Sequence, residues 1–256
     1  MGLLIGLGAG LFGGLLGIGG GFIMIPLMVR FMRVRQHVAH GTSLAVLVFI
    51  GLSGALSYAL KGSLDIAAFL LLAATSVVTA YFGARVAHAL PEQLLKRFFG
   101  AFLLFVAIFM LLKPHLWSAA FAPALRYRVV VLAGAGVLTG FISGMLGVGG
   151  GAVMVPAMVL LLGMDQYTAQ GTSLLTMVPM GFAGAWTHFR LGNVKARLIG
   201  QLVAGVIAGS FLGGTFAHLF PENALRSLFG IVLVWTAWRY LAPGRWVGEG
   251  GTNADK

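Results

Sequence analysis

The sequence has no cysteine, which excludes disulfide frameworks, thiolate metal sites, iron–sulfur clusters and cysteine nucleophiles. Carboxylates are nearly as scarce. Asp65, Glu92, Asp165, Glu222, Glu249 and Asp255 are the whole set, and all fall at the ends of apolar segments or in tails. Cation pumps and many proton-coupled carriers place Asp or Glu inside the membrane, so this pattern argues against a cation as substrate. Charged residues make up 9% of the 256, against about 25% in a soluble domain. Most of the surface is therefore not built for water. What is present is 59% hydrophobic residues and 39 glycines without a G-X-Y period. Helical membrane proteins use glycine to pack helices closely, and the composition predicts an all-α polytopic membrane protein.

The formal net charge is +11, but the basic residues sit in short clusters between long apolar runs. Arg30, Arg33 and Arg35 form one cluster, and Arg190, Lys195 and Arg197 form another. Juxtamembrane loops have this look under the positive-inside rule. No basic stripe follows a helix, so nucleic acid is not an expected partner. The chain turns apolar at Gly2, without the basic n-region and cleavage site of a signal peptide.

Two halves of the chain match at an offset of 130. Gly17, Gly19, Gly20 and Gly21 fall on Gly147, Gly149, Gly150 and Gly151. Met24, Pro26 and Met28 fall on Met154, Pro156 and Met158, and Gly41-Thr42-Ser43-Leu44 on Gly171-Thr172-Ser173-Leu174. His88, Pro91 and Glu92 fall on His218, Pro221 and Glu222, and Phe99-Gly100 on Phe229-Gly230. The expected organisation is repeat 1 over 1–113, a linker over 114–128, repeat 2 over 129–242 and a polar tail over 243–256.

Each half holds four hydrophobic segments, the last three long enough to span at about 20 residues per crossing. The first segment, Leu3–Phe31 or Val129–Leu162, is too long for one simple span and is broken by a glycine triplet. A broken single span, a half-depth hairpin and two full spans all fit its length. Charge separates the single span from the other two. One crossing per first segment divides Lys and Arg 7 against 10. A hairpin or two spans gives the halves opposite orientation and a division of 12 against 5. The expectation is two inverted-topology repeats, each a Gly-broken helical hairpin plus three transmembrane helices, with both termini in the cytoplasm.

Gly-interrupted segments at matching positions of inverted halves point to a transporter's substrate site. The tips Gly19, Gly20, Gly21 and Gly149, Gly150, Gly151 should approach each other near the midplane. Backbone leaves a helix there only where it is buried in protein or lines a cavity. The helices that follow offer unpaired N–H groups and a positive dipole end to an anion. The same glycines could instead serve close packing, as expected for Gly6, Gly10, Gly14, Gly136, Gly140 and Gly144. Gly147-x-Gly149-x-x-Ala152 mimics a dinucleotide fingerprint but lacks a βαβ unit around it.

Asp165 reads as an N-cap, which sets Thr172 and Ser173 one to two turns inside a helix. Thr42, Ser43, Thr172 and Ser173 either back-bond to carbonyls at i−4 or donate to a substrate. His40 and Gln170 precede the two motifs and add a polar donor each. His188 and Trp186 read as interfacial anchors, and His88 and His218 as parts of the Pro-Glu turns. No histidine pair has metal-ligand spacing and no enzyme motif is present, so neither a metal, a cofactor nor catalysis is expected.

GGLLGIGGGFIMIPLMV with HGTSL, and SGMLGVGGGAVMVPAMV with QGTSL, resemble the sulfite exporter TauE/SafE family of membrane permeases. The resemblance runs from about Gly6 to Leu241. It implies a multi-pass carrier of the bacterial inner membrane for small sulfur-containing anions such as sulfite, sulfonates or sulfoacetate. On the family's motif positions, the two glycine triplets with Pro26, Pro156, Gly41–Ser43 and Gly171–Ser173 would form the core. The partners expected are the anion and the bilayer; a proton or another ion is a candidate for coupling, and uniport is the alternative. Another small organic or inorganic anion is the alternative cargo, and a non-transporting scaffold is the alternative class.

Overall fold

The computed structural model describes residues 1–86, 100–111 apart from 102 and 109, and 125–241. His88, Pro91, Glu92, Phe99, most of the 114–128 linker and the 243–256 tail lie outside them. Among the described residues all regular structure is helical. In order come α1 (Gly2–Leu16), α2 (Gly21–Phe31), α3 (Gln36–Ala59), α4 (Ile66–Val86), α5 (Leu125–Leu146), α6 (Gly151–Pro156), α7 (Gln166–Arg190), α8 (Ala196–Ala217) and α9 (Glu222–Leu241). Residues 103–108 are also helical, and α6 widens into a π-helical turn over Ala157–Leu161.

Four of these helices are long and apolar enough to cross a bilayer: residues His37–Ala59, Ile66–Val86, Arg126–Leu146 and Ala196–Ala217. With the shorter apolar helices around them, they make an all-α polytopic membrane protein. The two broken segments are unequal. The first helix of one is 15 residues long and that of the other 22, so only the second could span by itself.

Small residues fix the helix neighbours. A Cβ on Gly6 would stand 2.3 Å from the Leu202 carbonyl oxygen, one on Gly10 2.6 Å from that of Val206, and one on Gly14 2.2 Å from that of Ser210. From the other side, Gly205, Gly209 and Gly213 meet Leu3, Leu7 and Leu11 just as closely. Helices α1 and α8 therefore run parallel, backbone against backbone. The second copy repeats this: Gly136, Gly140 and Gly144 seat α5 on Leu72, Ser76 and Ala80 of α4. Van der Waals packing is the main attraction between helices in lipid, and it is strongest where no side chain holds the backbones apart.

Helices α3 and α7 lie between these two pairs and are equivalent in the duplication. Gly41 meets His188, Gly184 meets Leu44, Gly51 meets Val178 and Gly171 meets Tyr58. Rising numbers on one face falling numbers on the other, so the two equivalent helices are antiparallel. Ser210 donates to the Ile50 carbonyl at 2.8 Å and Ser53 to that of Ile207 at 2.6 Å, tying α3 to α8.

The ends of the bundle differ in charge. Arg30, Arg33, Arg35, Arg85, Arg190, Lys195 and Arg197 gather at the end where α3 begins, with no carboxylate there among the described residues. The opposite end carries Lys61, Arg126, Arg128 and Arg226, balanced by Asp65, Asp165 and Glu222. Arg128 pairs with Asp65, and Arg226 with Glu222 at 2.6 Å.

At the basic end the copies part company at one backbone position. Arg33 has φ 51° where its counterpart Gly163 has φ 69°. A Cβ in this left-handed region costs roughly 1–2 kcal/mol, and the Arg33 side chain is exposed. Arg33→Gly is expected to leave the melting temperature in detergent unchanged or slightly raised, since glycine's greater freedom when unfolded offsets part of the relief. Gly163→Arg should lower it. A clear loss of stability in Arg33→Gly would show instead that the guanidinium holds the turn.

Candidate substrate site at the two glycine tips

Each broken segment is a hairpin. A Cβ on Gly20 would fall 2.4 Å from the Ala9 carbonyl oxygen and one on Gly13 2.7 Å from the Gly20 nitrogen, so α2 folds back along α1. The turn is made at Gly17 and Gly19, with φ of 66° and 83°, and at Gly147 and Gly149, with φ of 64° and 95°. Side chains rarely adopt these values. Gly150 is not one of the left-handed positions: it caps α6 with φ −97°, as Gly20 caps α2.

The two tips meet. A Cβ on Gly19 would lie 3.4 Å from the Gly149 Cα, and one on Gly149 2.7 Å from the Ile18 carbonyl oxygen. A Cβ on Gly21 would fall 2.5 and 2.7 Å from the carbonyl oxygens of Gly147 and Val148, and one on Gly151 1.9 Å from that of Gly17. Leu47 of α3 and Met177 of α7 flank the contact, and every residue from 16 to 22 and from 143 to 156 is buried. Non-helical backbone thus lies at the centre of the bundle, enclosed by protein as the hydrocarbon region requires.

The motif hydroxyls reach across from one half to the other. Ser43 donates to the Gly147 carbonyl at 2.8 Å, and Ser173 to the Gly17 carbonyl at 3.1 Å. These carbonyls belong to the residues that end α5 and α1, which no intrahelical N–H can satisfy. Thr42 Oγ1 accepts from the Lys195 N–H at 3.3 Å, and Thr172 Oγ1 from the Asp65 N–H at 2.9 Å. The i−4 back-bond is made by Thr176 to the Thr172 carbonyl, 2.8 Å away. Asp165 caps α7 by accepting from the Thr168 N–H at 2.9 Å. Of the residues singled out from sequence, both glycine triplets, Ser43 and Ser173 converge at the tips. His40 and Gln170 back onto Gly147 and Gly17, with their Cα atoms 2.9 and 2.8 Å from where a Cβ would stand. Thr42 and Thr172 hold the interhelical turns instead.

That assignment gives Thr172→Val a definite expectation. The substitution leaves the Asp65 N–H without its acceptor, and stability should fall by about 1–3 kcal/mol. Thr172→Ser should retain it. Thermal unfolding of both variants in detergent decides the point, and an unchanged transition for Thr172→Val would exclude the capping role.

Two histidines differ from their sequence reading. His188 is 1% exposed, with Nε2 3.1 Å from the Gly144 carbonyl, so it is no interfacial anchor. Its neighbour Trp186 is 49% exposed, with Arg190 over its ring at 5.1 Å. His218 reaches past its own turn. Its ring lies against Tyr58 at 4.9 Å and Tyr167 at 5.1 Å, and Nε2 is 3.3 Å from Ser63 Oγ. Tyr58 was missed from sequence. It is buried, its hydroxyl donates to Gln170 Oε1 at 2.8 Å, and it stands 3.1 Å from the Gly14 carbonyl. Only its alignment with His188 at the repeat offset could have marked it. No group of His, Asp or Glu that could hold a metal occurs among the described residues.

Paired apolar hairpins buried between membrane-length helices define a polytopic membrane protein of the transporter class. Comparison with known proteins agrees. The family described as sulfite exporter TauE/SafE matches residues 2–240, and the chain belongs to that family of membrane transporters. It is 27% identical to the probable membrane transporter protein YdhB of Bacillus subtilis (strain 168), over 85% of this chain and 90% of the relative. It is 28% identical to YunE of the same organism, also a probable membrane transporter protein, over 91% and 93%. The probable membrane transporter protein MJ0441 of Methanocaldococcus jannaschii is 28% identical over 75% and 73%. No solved structure matches the chain.

Proposed function

We propose that the protein is a secondary transporter that moves a small sulfur-containing anion, of the sulfite, sulfonate or sulfoacetate type, across the bacterial inner membrane by alternating access. The observation that carries this reading is the meeting of the two glycine tips at the centre of the bundle. A scaffold protein would gain nothing from non-helical backbone there. Substrate reaches this point when the halves rock apart, and the first turn of the 11-residue α2, beginning at Gly21, supplies N–H groups at a positive helix end. The Ser43 and Ser173 hydroxyls exchange their carbonyl partners for substrate oxygens. The antiparallel run of α3 and α7 supports inverted-topology halves. The excess of Arg and Lys where α3 begins supports a cytoplasmic location for that end and for both termini.

Flux of labelled sulfite and sulfoacetate into proteoliposomes tests the function. Saturable movement of either is expected, and robust transport of a metal cation with none of these anions would refute it. Reporter fusions after Lys256 and within residues 114–128 should report opposite sides of the membrane. The same side for both would end the inverted-repeat reading.

A further inference from the structure

The two hairpins differ inside. In the first, α1 turns Ala9 and Gly13 toward the chain folding back along it. The Cβ position of Gly20 lies 2.4 Å from the Ala9 carbonyl oxygen, and that of Gly13 lies 2.7 Å from the Gly20 nitrogen. Backbone meets backbone there. The repeat puts Thr139 and Ser143 at these two places on α5, one helical turn apart on the same face. In this second hairpin the nearest neighbours of the Gly150 Cβ position are all side-chain atoms. They are Thr139 Cγ2 at 2.1 Å and the methyl ends of Met154 and Met180 at 3.2 and 3.3 Å.

Thr139 and Ser143 are fully buried, and neither hydroxyl has a hydrogen-bond partner among the described residues. Every other buried serine or threonine hydroxyl among those residues has one. Inside a helix the usual remedy is the carbonyl one turn back, and Thr176, Thr187 and Thr236 take it. Thr139 and Ser143 do not. A buried hydroxyl left unpaired works against the fold, and two of them stand together beside the second tip. The space next to them is bounded by Met154 and Met180, whose flexible thioether chains adapt to what they pack against. Ser173 Oγ lies 3.9 Å from the Met154 sulfur, so a hydroxyl of the proposed substrate site borders the same space.

We infer that Thr139 and Ser143 bind the sulfonate end of the transported anion, each donating a hydrogen bond to a sulfonate oxygen, so that the second hairpin holds the substrate and the first does not. The inference rests on the anion-transport reading above. Hydroxyls are neutral donors, and no Lys or Arg is buried among the described residues to add a full charge. A sulfonate suits such a site because its single negative charge is spread over its oxygens, each of which accepts hydrogen bonds. Ala9 and Gly13 bring no side-chain donor to the first hairpin, and its close backbone contact leaves no room for one.

Thr139→Val and Ser143→Ala each remove one hydroxyl, and two measurements separate binding from folding. In proteoliposomes, the sulfoacetate concentration that half-saturates flux should rise about ten- to a hundredfold in either variant, as expected for losing a hydrogen bond to a charged group. Thr139→Ser keeps the hydroxyl and should stay near the wild-type value. In detergent without substrate, the thermal midpoint of Thr139→Val and Ser143→Ala should be unchanged or raised, because an unpaired polar group has left the interior. Wild-type half-saturation in both variants would overturn the site. So would a lowered midpoint without substrate, by showing that the hydroxyls already serve the fold. A wild-type protein that moves sulfite but not sulfoacetate keeps the anion reading and overturns this site alone. One that moves neither refutes the reading and the inference together.

Discussion

Replacing Gly151 by alanine is expected to abolish transport and to destabilise the protein by at least about 2 kcal/mol. Overpacking a well-filled interior costs about 1–3 kcal/mol when side chains can adjust, and here they cannot. The added methyl would stand 1.9 Å from the Gly17 carbonyl oxygen and 2.6 Å from the Ile18 Cα. Both are backbone atoms of a turn that Gly17 and Gly19 already hold in left-handed conformations. The tips would have to separate, and their contact is what the proposed site is made of. Gly21→Ala should act the same way through the carbonyls of Gly147 and Val148. Gly8, Gly134 and Gly200 supply the control, since a Cβ at any of them meets nothing within 4 Å. Alanine there should be neutral or mildly stabilising, as expected for Gly→Ala inside a helix. Proteoliposome flux and thermal unfolding at matched expression compare the two sets. Equal behaviour of Gly151→Ala and Gly8→Ala would remove the tip contact from the account.

Much of this arrangement is legible in the sequence, for a physical reason. Duplication repeats both the glycine triplets and the small-residue steps, and a Cβ-free face at every fourth position can only be read as a helix contact. The partner of that face is another matter. Gly6, Gly10 and Gly14 identify a close neighbour without saying that it is α8, 196 residues on in numbering. The hydroxyls are less legible still. Ser43 and Ser173 lie inside helices, where back-bonding to i−4 is the local choice. Their bonds to Gly147 and Gly17 exist only because each half's hairpin ends beside the other half's central helix. The burial of His188 follows from the same cause. An aromatic neighbour and a nearby arginine mark the membrane interface along α7, while the antiparallel course of α3 turns that one side chain inward.

Removing both serine hydroxyls, in Ser43→Ala/Ser173→Ala, should give the second large effect. Each single change leaves a buried helix-end carbonyl without its donor, at about 1–3 kcal/mol. The two sites lie on different helices and would be independent in an ordinary bundle, with additive costs. Here the carbonyl held by Ser173 belongs to Gly17, which presses on Gly151, and the carbonyl held by Ser43 belongs to Gly147, which presses on Gly21. Releasing one tip loosens the seat of the other. The double variant should therefore deviate from the sum of the singles by about 0.5–3 kcal/mol, the range for groups in contact. Ser227→Ala removes only an exposed hydroxyl that bonds the Asn223 carbonyl in its own helix, and should change little. A double-mutant cycle by thermal unfolding in detergent measures the coupling, and anion flux at matched expression measures its consequence. Additivity within about 0.3 kcal/mol, with flux at the wild-type level, would show that the tips act separately and that no substrate position is shared between them.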